Sequence, residues 1–440
     1  MGKQKRKPMP RNKTLRKEPD WTEVWVGLFL VVYLLFFGFE GYSGISAAKT
    51  VTFYVLSGIL LALGVGYLVL DLRKGRLRPL TGTQIAALAF LVCTLASAAA
   101  SPYGGRAWYD KSAHETALTV SLYMLLFLIV SRWGRPTEGM IRVLFWILAP
   151  FCLLCLLQVV GKLNPLSLYP GSLNYGDGYG VKYSGAYAGT IGNVDFLSAF
   201  LALVTPMLVL YAWGKPIRKA WPFWLLAAAC LGVSVLIQVL CGLVGMALGG
   251  VISLAVLCPD RYRKWILLGL GILAAAALAL LWAVDLPVGF LHELHEILHG
   301  RVEDSFGTGR FYIWRQMLER IPDRLLLGVG PDMARYSGLA PFIRYENGVE
   351  VARAAITDAH CYPLQILYCQ GLPALLSWLA LVGLSLRHWF KARANRTAAI
   401  LGAGVSCFFC AMLFCPSSVI VMPFFWLALA LLEAEAAREK

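Results

Sequence analysis

The stretch WILLGLGILAAAALALLWAV, residues 265–284, runs for twenty positions without a charged side chain. As a helix it would reach about 30 Å, the thickness of a bilayer's hydrocarbon core. A helix that is apolar on every side belongs inside a large core or across a membrane. Its neighbours in sequence decide between these. Comparable runs lie at 22–39, 51–70, 83–100, 116–131, 140–160, 195–213, 221–238, 240–257, 363–386, 398–415 and 418–434. With 58% hydrophobic residues and a mean hydropathy of +0.65, the chain lacks the polar surface a soluble domain needs. The pattern predicts an all-α polytopic membrane protein of about twelve transmembrane helices.

A formal net charge of +15 invites a nucleic-acid reading, and the placement of the charge argues against it. Basic residues collect in alternate connections: Arg73, Lys74, Arg76 and Arg78; Arg132, Arg135 and Arg142; Lys215, Arg218 and Lys219; Arg261, Arg263 and Lys264; Arg387, Lys391, Arg393 and Arg396. Twelve spans put all of these, and the basic opening MGKQKRKPMPRNKTLRK, on the cytoplasmic side, as the positive-inside rule requires. Residues 1–20 are expected to be a disordered cytoplasmic tail, too basic and polar for a cleaved signal peptide, and 21–440 a single membrane domain. Nucleic acid is not an expected partner; the lipid bilayer is.

The pairs Cys152/Cys155 and Cys407/Cys410 have metal-site spacing. Both fall within apolar runs, where cysteine serves as a small buried hydrophobe.

This topology leaves two long segments outside, at about 161–194 and 285–362. Long loops that are kept despite the entropy of ordering them tend to carry function. The first, rich in Gly, Tyr, Ser and Asn, suits a carbohydrate-sized groove. The second holds Arg301, Arg310, Arg315, Arg320, Arg324, Arg335, Arg344 and Arg353. The guanidinium fork binds phosphate oxygens in pairs and stays charged at any physiological pH, so an outer arginine group beside the bilayer points to a lipid diphosphate or headgroup.

The same segment contains FLHELHEILHGR, residues 290–301, in which His295, Glu296 and His299 match the H-E-x-x-H of zinc peptidases. A third ligand would have to come from Glu319 or Asp323, beside the helix-breaking Pro322. Alternatively, Phe290, Leu291, Leu294, Ile297 and Leu298 recur at helical spacing and predict an amphipathic surface helix with its histidines on the polar side. A twelve-span chain also suits a carrier of lipid-linked sugars, although no paired broken helices mark one.

Three blocks taken in order, GTIGNVDFLSAFLALVTPMLVL, GTGRFYIWRQMLERIPDRLLLGVGPDMARY and DAHCYPLQILYCQGLPALLSWLAL, resemble the O-antigen ligase and polymerase superfamily of membrane glycan transferases. They share its Gly-Asn before an apolar span, its arginine followed four residues later by tryptophan, its Leu-Gly-Val-Gly-Pro turn, and its histidine ahead of Gly-Leu-Pro. The resemblance implies a GT-C-type architecture and metal-independent transfer, without a cofactor, of a glycan from a polyprenyl diphosphate to an acceptor hydroxyl. The site would lie on the extracytoplasmic side of the cytoplasmic membrane. It also implies His360 as the base and Arg310 as the diphosphate contact, with Asn193 and Asp358 in the substrate site. Two positions depart from the family: Cys361 follows His360 where asparagine is usual, and Cys241 precedes Gly242 where the family carries an arginine. Arg301, Arg315 and Arg353 are the candidates to replace that arginine.

Overall fold

The computed structural model describes residues 20–39, 44–112, 115–160, 189–287, 289–346 and 349–438. The expected N-terminal tail and most of the 161–194 segment lie outside the described residues.

Every apolar run in the sequence is helical. The first half of the chain forms α1 (Trp21–Leu35), α2 (Ile45–Arg73), α3 (Gly82–Ala99), the single turn α4 (Gly105–Trp108), α5 (Ala117–Trp133) and α6 (Glu138–Val159). Next come α7 (Val194–Ala212), α8 (Ile217–Leu236), α9 (Leu240–Leu257) and α10 (Asp260–Ala283). The long 285–362 segment contributes α11 (Gly289–Leu298), α12 (Phe306–Leu318) and the strands β1 (Phe342–Glu346) and β2 (Val349–Ala354). The chain closes with α13 (Tyr362–Gln370), α14 (Leu372–Lys391), α15 (Arg396–Ala411) and α16 (Met422–Ala436).

Among the described residues seven helices are long and apolar enough to cross a membrane: α2, α3 and α6 to α10. Three more, α1, α5 and α15, are apolar but shorter. This is a polytopic membrane protein. Its centre is α7, with 72% of its apolar window buried, and α10 lies at the other extreme with 0%. Small residues let the central helices close up. A Cβ on Gly249 of α9 would stand 2.3 Å from the Cys407 Cα of α15, so the two backbones touch where a side chain would hold them apart. At the C-terminal end of α1 the buried Lys49 of α2 donates to the carbonyls of Tyr33 and Leu34, satisfying groups the helix leaves open.

Two features depart from the sequence reading. The run 363–386 is two helices, because Gly371 adopts φ +85° and redirects the chain between α13 and α14. The 285–362 segment also contains strand: β1 and β2 pair antiparallel, with Phe342 opposite Ala354, so among the described residues the fold is helical apart from this hairpin.

This segment folds into a cap with its own apolar cluster, in which Ile313, Met317, Val329, Met333, Ile356 and Ala359 pack with Tyr368 and Cys369 of α13. The Leu-Gly-Val-Gly-Pro turn seats the cap on the bundle. Val329 N–H donates to Tyr368 O (3.2 Å), Gly330 N–H to Cys369 O (2.8 Å), and Leu372 N–H to Leu325 O (2.7 Å). Backbone meets backbone here. A Cβ on Gly328 (φ +63°) would lie 2.3 Å from the Cys369 carbonyl carbon, and one on Gly371 would lie 2.3 Å from Leu326 O.

Candidate active site

The α12 helix starts with a left-handed turn, Gly307, Thr308 and Gly309 all at positive φ, and continues as regular helix from Arg310. Arg310 Nη1 folds back to donate to Gly307 O (2.8 Å) and Thr308 Oγ1 (3.0 Å), which fixes the guanidinium over that turn. Its Nε is buried without a hydrogen-bond partner. A charged donor left open in a buried place is prepared for an anion.

One helical turn on, Trp314 Nε1 donates to the carbonyl of Ala359 at 2.8 Å. Ala359 is fully buried, and its own N–H donates to Gln365 Oε1 at 2.9 Å. The residue before His360 is therefore gripped from both sides, by α12 and by α13. The four-residue spacing of Arg310 and Trp314 puts both on one face of α12, and the tryptophan holds the histidine arm beside the arginine. His360 sits at φ +48°, a conformation costing a non-glycine residue about 1–3 kcal/mol that the surrounding structure must hold in place. Thr308 and Asp332, in the same cap, also have positive φ.

Asp358 accepts the His360 backbone N–H at 2.7 Å, and the same oxygen lies 3.0 Å from His360 Nδ1. The ring contact is an ion-pair approach rather than an aligned hydrogen bond. Burial draws the imidazole pKa down and Arg310 adds to that. The carboxylates of Asp358 and Asp195 outweigh both and hold it above the ordinary histidine value of 6.5. The side chain of His360 is 31% exposed, so it can be touched from outside the cap.

Asp195, in the first turn of α7, interacts electrostatically with His360, Arg310 and Asp358. The Asn193 side chain caps that helix, its Oδ1 accepting from Asp195 N (2.8 Å) and Phe196 N (3.2 Å). Its carboxamide oxygen is thus used in placing Asp195. Cys241 lies within electrostatic reach of Asp195 and Arg310, and its Sγ is directed at the Asp195 carbonyl, as is that of Cys415.

The other three predicted arginines are engaged elsewhere. Arg301 grips Glu296 with two hydrogen bonds, Arg315 pairs with Asp304, and Arg353 pairs with Glu350. Each is more than half exposed. Surface pairs of this kind are worth about 0–1 kcal/mol.

The zinc arrangement is not formed. Arg301 holds both oxygens of Glu296, the would-be base, and lowers its pKa to about 2 through a hydrogen bond and charge. His299 lies flat on Trp282 with ring centroids 5.4 Å apart, and its Nδ1 donates to His295 O at 2.8 Å. His295, expected on the polar side, is buried against α10 and donates to Leu281 O at 2.7 Å. Among the described residues no three His, Cys, Asp or Glu side chains converge on a common point. The histidines fasten α11 to the end of α10.

Sequence reasoning missed Asp195, Glu115 and Asp332. Glu115, buried in the link before α5, donates its N–H to Asp332 Oδ2 at 3.0 Å and interacts electrostatically with Asp358. Asp195, two residues after the Gly-Asn pair, and Asp332, directly after the Leu-Gly-Val-Gly-Pro turn, stood beside motifs in sequence, whereas Glu115 did not.

Fold and site together define a polytopic membrane protein with a histidine–carboxylate pair beside a half-bonded arginine. Residues 237–379 match the model of the O-antigen ligase family. No curated protein matches the chain.

Proposed function

We propose that the protein transfers a glycan from a polyprenyl-diphosphate carrier to an acceptor hydroxyl, in cell-envelope polysaccharide assembly. His360 removes the acceptor proton as the oxygen attacks the anomeric carbon, a contribution of about 10²–10⁴ in rate. Arg310 offers Nε and its remaining donors to the departing diphosphate, whose negative charge grows as the sugar bond breaks. The reaction needs no metal on this reading, because the guanidinium supplies the charge. The observation that carries the proposal is the clasp of Trp314 on Ala359, which sets the open arginine and the strengthened base within electrostatic reach of each other.

Cys241 stands where the family's further arginine is expected, and Arg310 lies within electrostatic reach of it, so one guanidinium serves that place here. Twelve spans in a GT-C-type arrangement, with both termini in the cytoplasm, put the cap and His360 on the extracytoplasmic side of the inner membrane. Ligase and polymerase chemistry share this machinery and differ in the acceptor.

The test is complementation of a deletion strain at matched protein levels, reading the length distribution of envelope polysaccharide and the lipid-linked precursor pool. His360→Ala and Arg310→Ala should accumulate precursor, whereas His299→Ala should restore normal chains. Full complementation by His360→Ala would remove the base from this reading.

A further inference from the structure

The turn that opens α12 is left-handed at three successive residues, Gly307 (φ +60°), Thr308 (φ +59°) and Gly309 (φ +86°). Residues with a side chain avoid that region, so a run of this kind needs a contact from outside to keep its shape. The contact comes from α11. Glu293 Oε2 accepts the backbone N–H of Gly307 at 2.9 Å. The carbonyl of the same Gly307 accepts Arg310 Nη1 at 2.8 Å, and Thr308 Oγ1 accepts that nitrogen at 3.0 Å. One peptide residue therefore joins the two side chains, with the carboxylate on its N–H and the guanidinium on its C=O.

The helix that carries Glu293 is itself fixed. His295 donates to Leu281 O near the end of α10, and none of the residues of α10 is buried in the bundle. Phe290, Leu294 and Leu298, four residues apart and all exposed, continue that apolar face along α11. A short helix with such a stripe lies at the surface of the bilayer, the level at which the charged diphosphate of a polyprenyl carrier is kept out of the hydrocarbon. We propose that Glu293 is a positioning residue for the diphosphate contact: through the Gly307 N–H it fixes the left-handed turn, and through the turn it holds the Arg310 guanidinium at the depth of the donor's diphosphate. Arg301 shows the other way a glutamate of α11 can hold an arginine, with both oxygens of Glu296 on the guanidinium and its charge matched. Glu293 takes the backbone instead, which leaves Arg310 Nε open for an anion. The inference rests on Arg310 being the diphosphate contact.

The test uses the full chain in lipid vesicles, supplied with the lipid-linked glycan pool extracted from a strain lacking it, with rates normalised to folded protein. Two variants separate reach from charge. Glu293→Asp keeps the carboxylate but falls a methylene short of Gly307, and should lose about tenfold to a hundredfold in kcat/KM, as a small misplacement of a reacting group does. Glu293→Gln keeps an accepting oxygen at the same reach and should transfer close to the wild-type rate. A double-mutant cycle shows through which residue the effect runs. In an Arg310→Ala protein Glu293→Asp should cause no further loss, whereas a general loosening of the cap would slow both backgrounds alike. A wild-type rate in Glu293→Asp, a Glu293→Gln as slow as Glu293→Asp, or an equal fall in both backgrounds overturns the inference. Those results leave the diphosphate reading standing if Arg310→Ala is itself slow; normal transfer by Arg310→Ala would overturn both.

Discussion

The indole N–H of Trp314 donates to the carbonyl of Ala359 across forty-five residues of sequence, at 2.8 Å. Everything that makes His360 a candidate base depends on where this bond puts the arm. Trp314→Phe keeps the ring's bulk and removes the donor, so the cap should still pack while the imidazole loses its fixed place. Transfer should fall about tenfold to a hundredfold, the usual consequence of a small misplacement of a reacting group, with protein level unchanged. Rates from purified protein, normalised to folded protein, would check this.

Asp358→Asn should move the acid limb of the pH–rate profile. A base works when neutral, so the rate rises with pH through the His360 pKa, which wild type holds above 6.5 mainly through Asp358 against the effect of burial. Without the carboxylate that value drops and the limb slides to lower pH, so the ratio of rates at about pH 6 and about pH 8 increases. Any stability from the pair runs the other way, being full below the unfolded histidine value and lost as pH rises through the folded one.

Arg310→Lys keeps a positive charge and loses the fork. If Arg310 holds diphosphate oxygens in pairs, lysine should recover little of the loss of about 10²–10³ expected for Arg310→Ala. Arg310→Ala should also raise the pH at which the remaining activity appears, because the arginine's charge holds the His360 value down. Single-turnover rates across pH with the lipid-linked donor would measure both effects.

Gly371→Ala tests the seat of the cap. The added Cβ would meet Leu326 O at 2.3 Å and would sit at φ +85°, so a loss of about 1–3 kcal/mol or more is expected. Thermal unfolding in detergent should show a lower midpoint, and transfer should fall with it.

The helices were legible in sequence because an apolar run of bilayer length has few other uses. The broken run at 363–386 was harder: Gly371 and Pro373 read as ordinary features of a helix start, and only the contact with Leu326 shows why the chain turns there. The hairpin was signalled by the alternation around Asn347-Gly348 and was hidden inside a segment taken as loop. In the site, Arg310, His360 and Asp358 came from local motifs. Glu115 could not, since a single acid in a short link takes its meaning from groups more than two hundred residues away. The H-E-x-x-H match shows the converse, a strong local pattern whose side chains are used to hold α11 on α10.

The backbone contact between Gly328 and the α13–α14 break gives the cap a heredity of its own. Two motifs that look independent along the chain are halves of one joint, and neither surface has a side chain that could adjust if the other changed. A cap transplanted from a relative would arrive with a turn cut to fit a different helix end. Grafts exchanging 285–362 alone should therefore misassemble, while those carrying the segment through α14 bring both halves of the joint and keep the cap seated on the bundle.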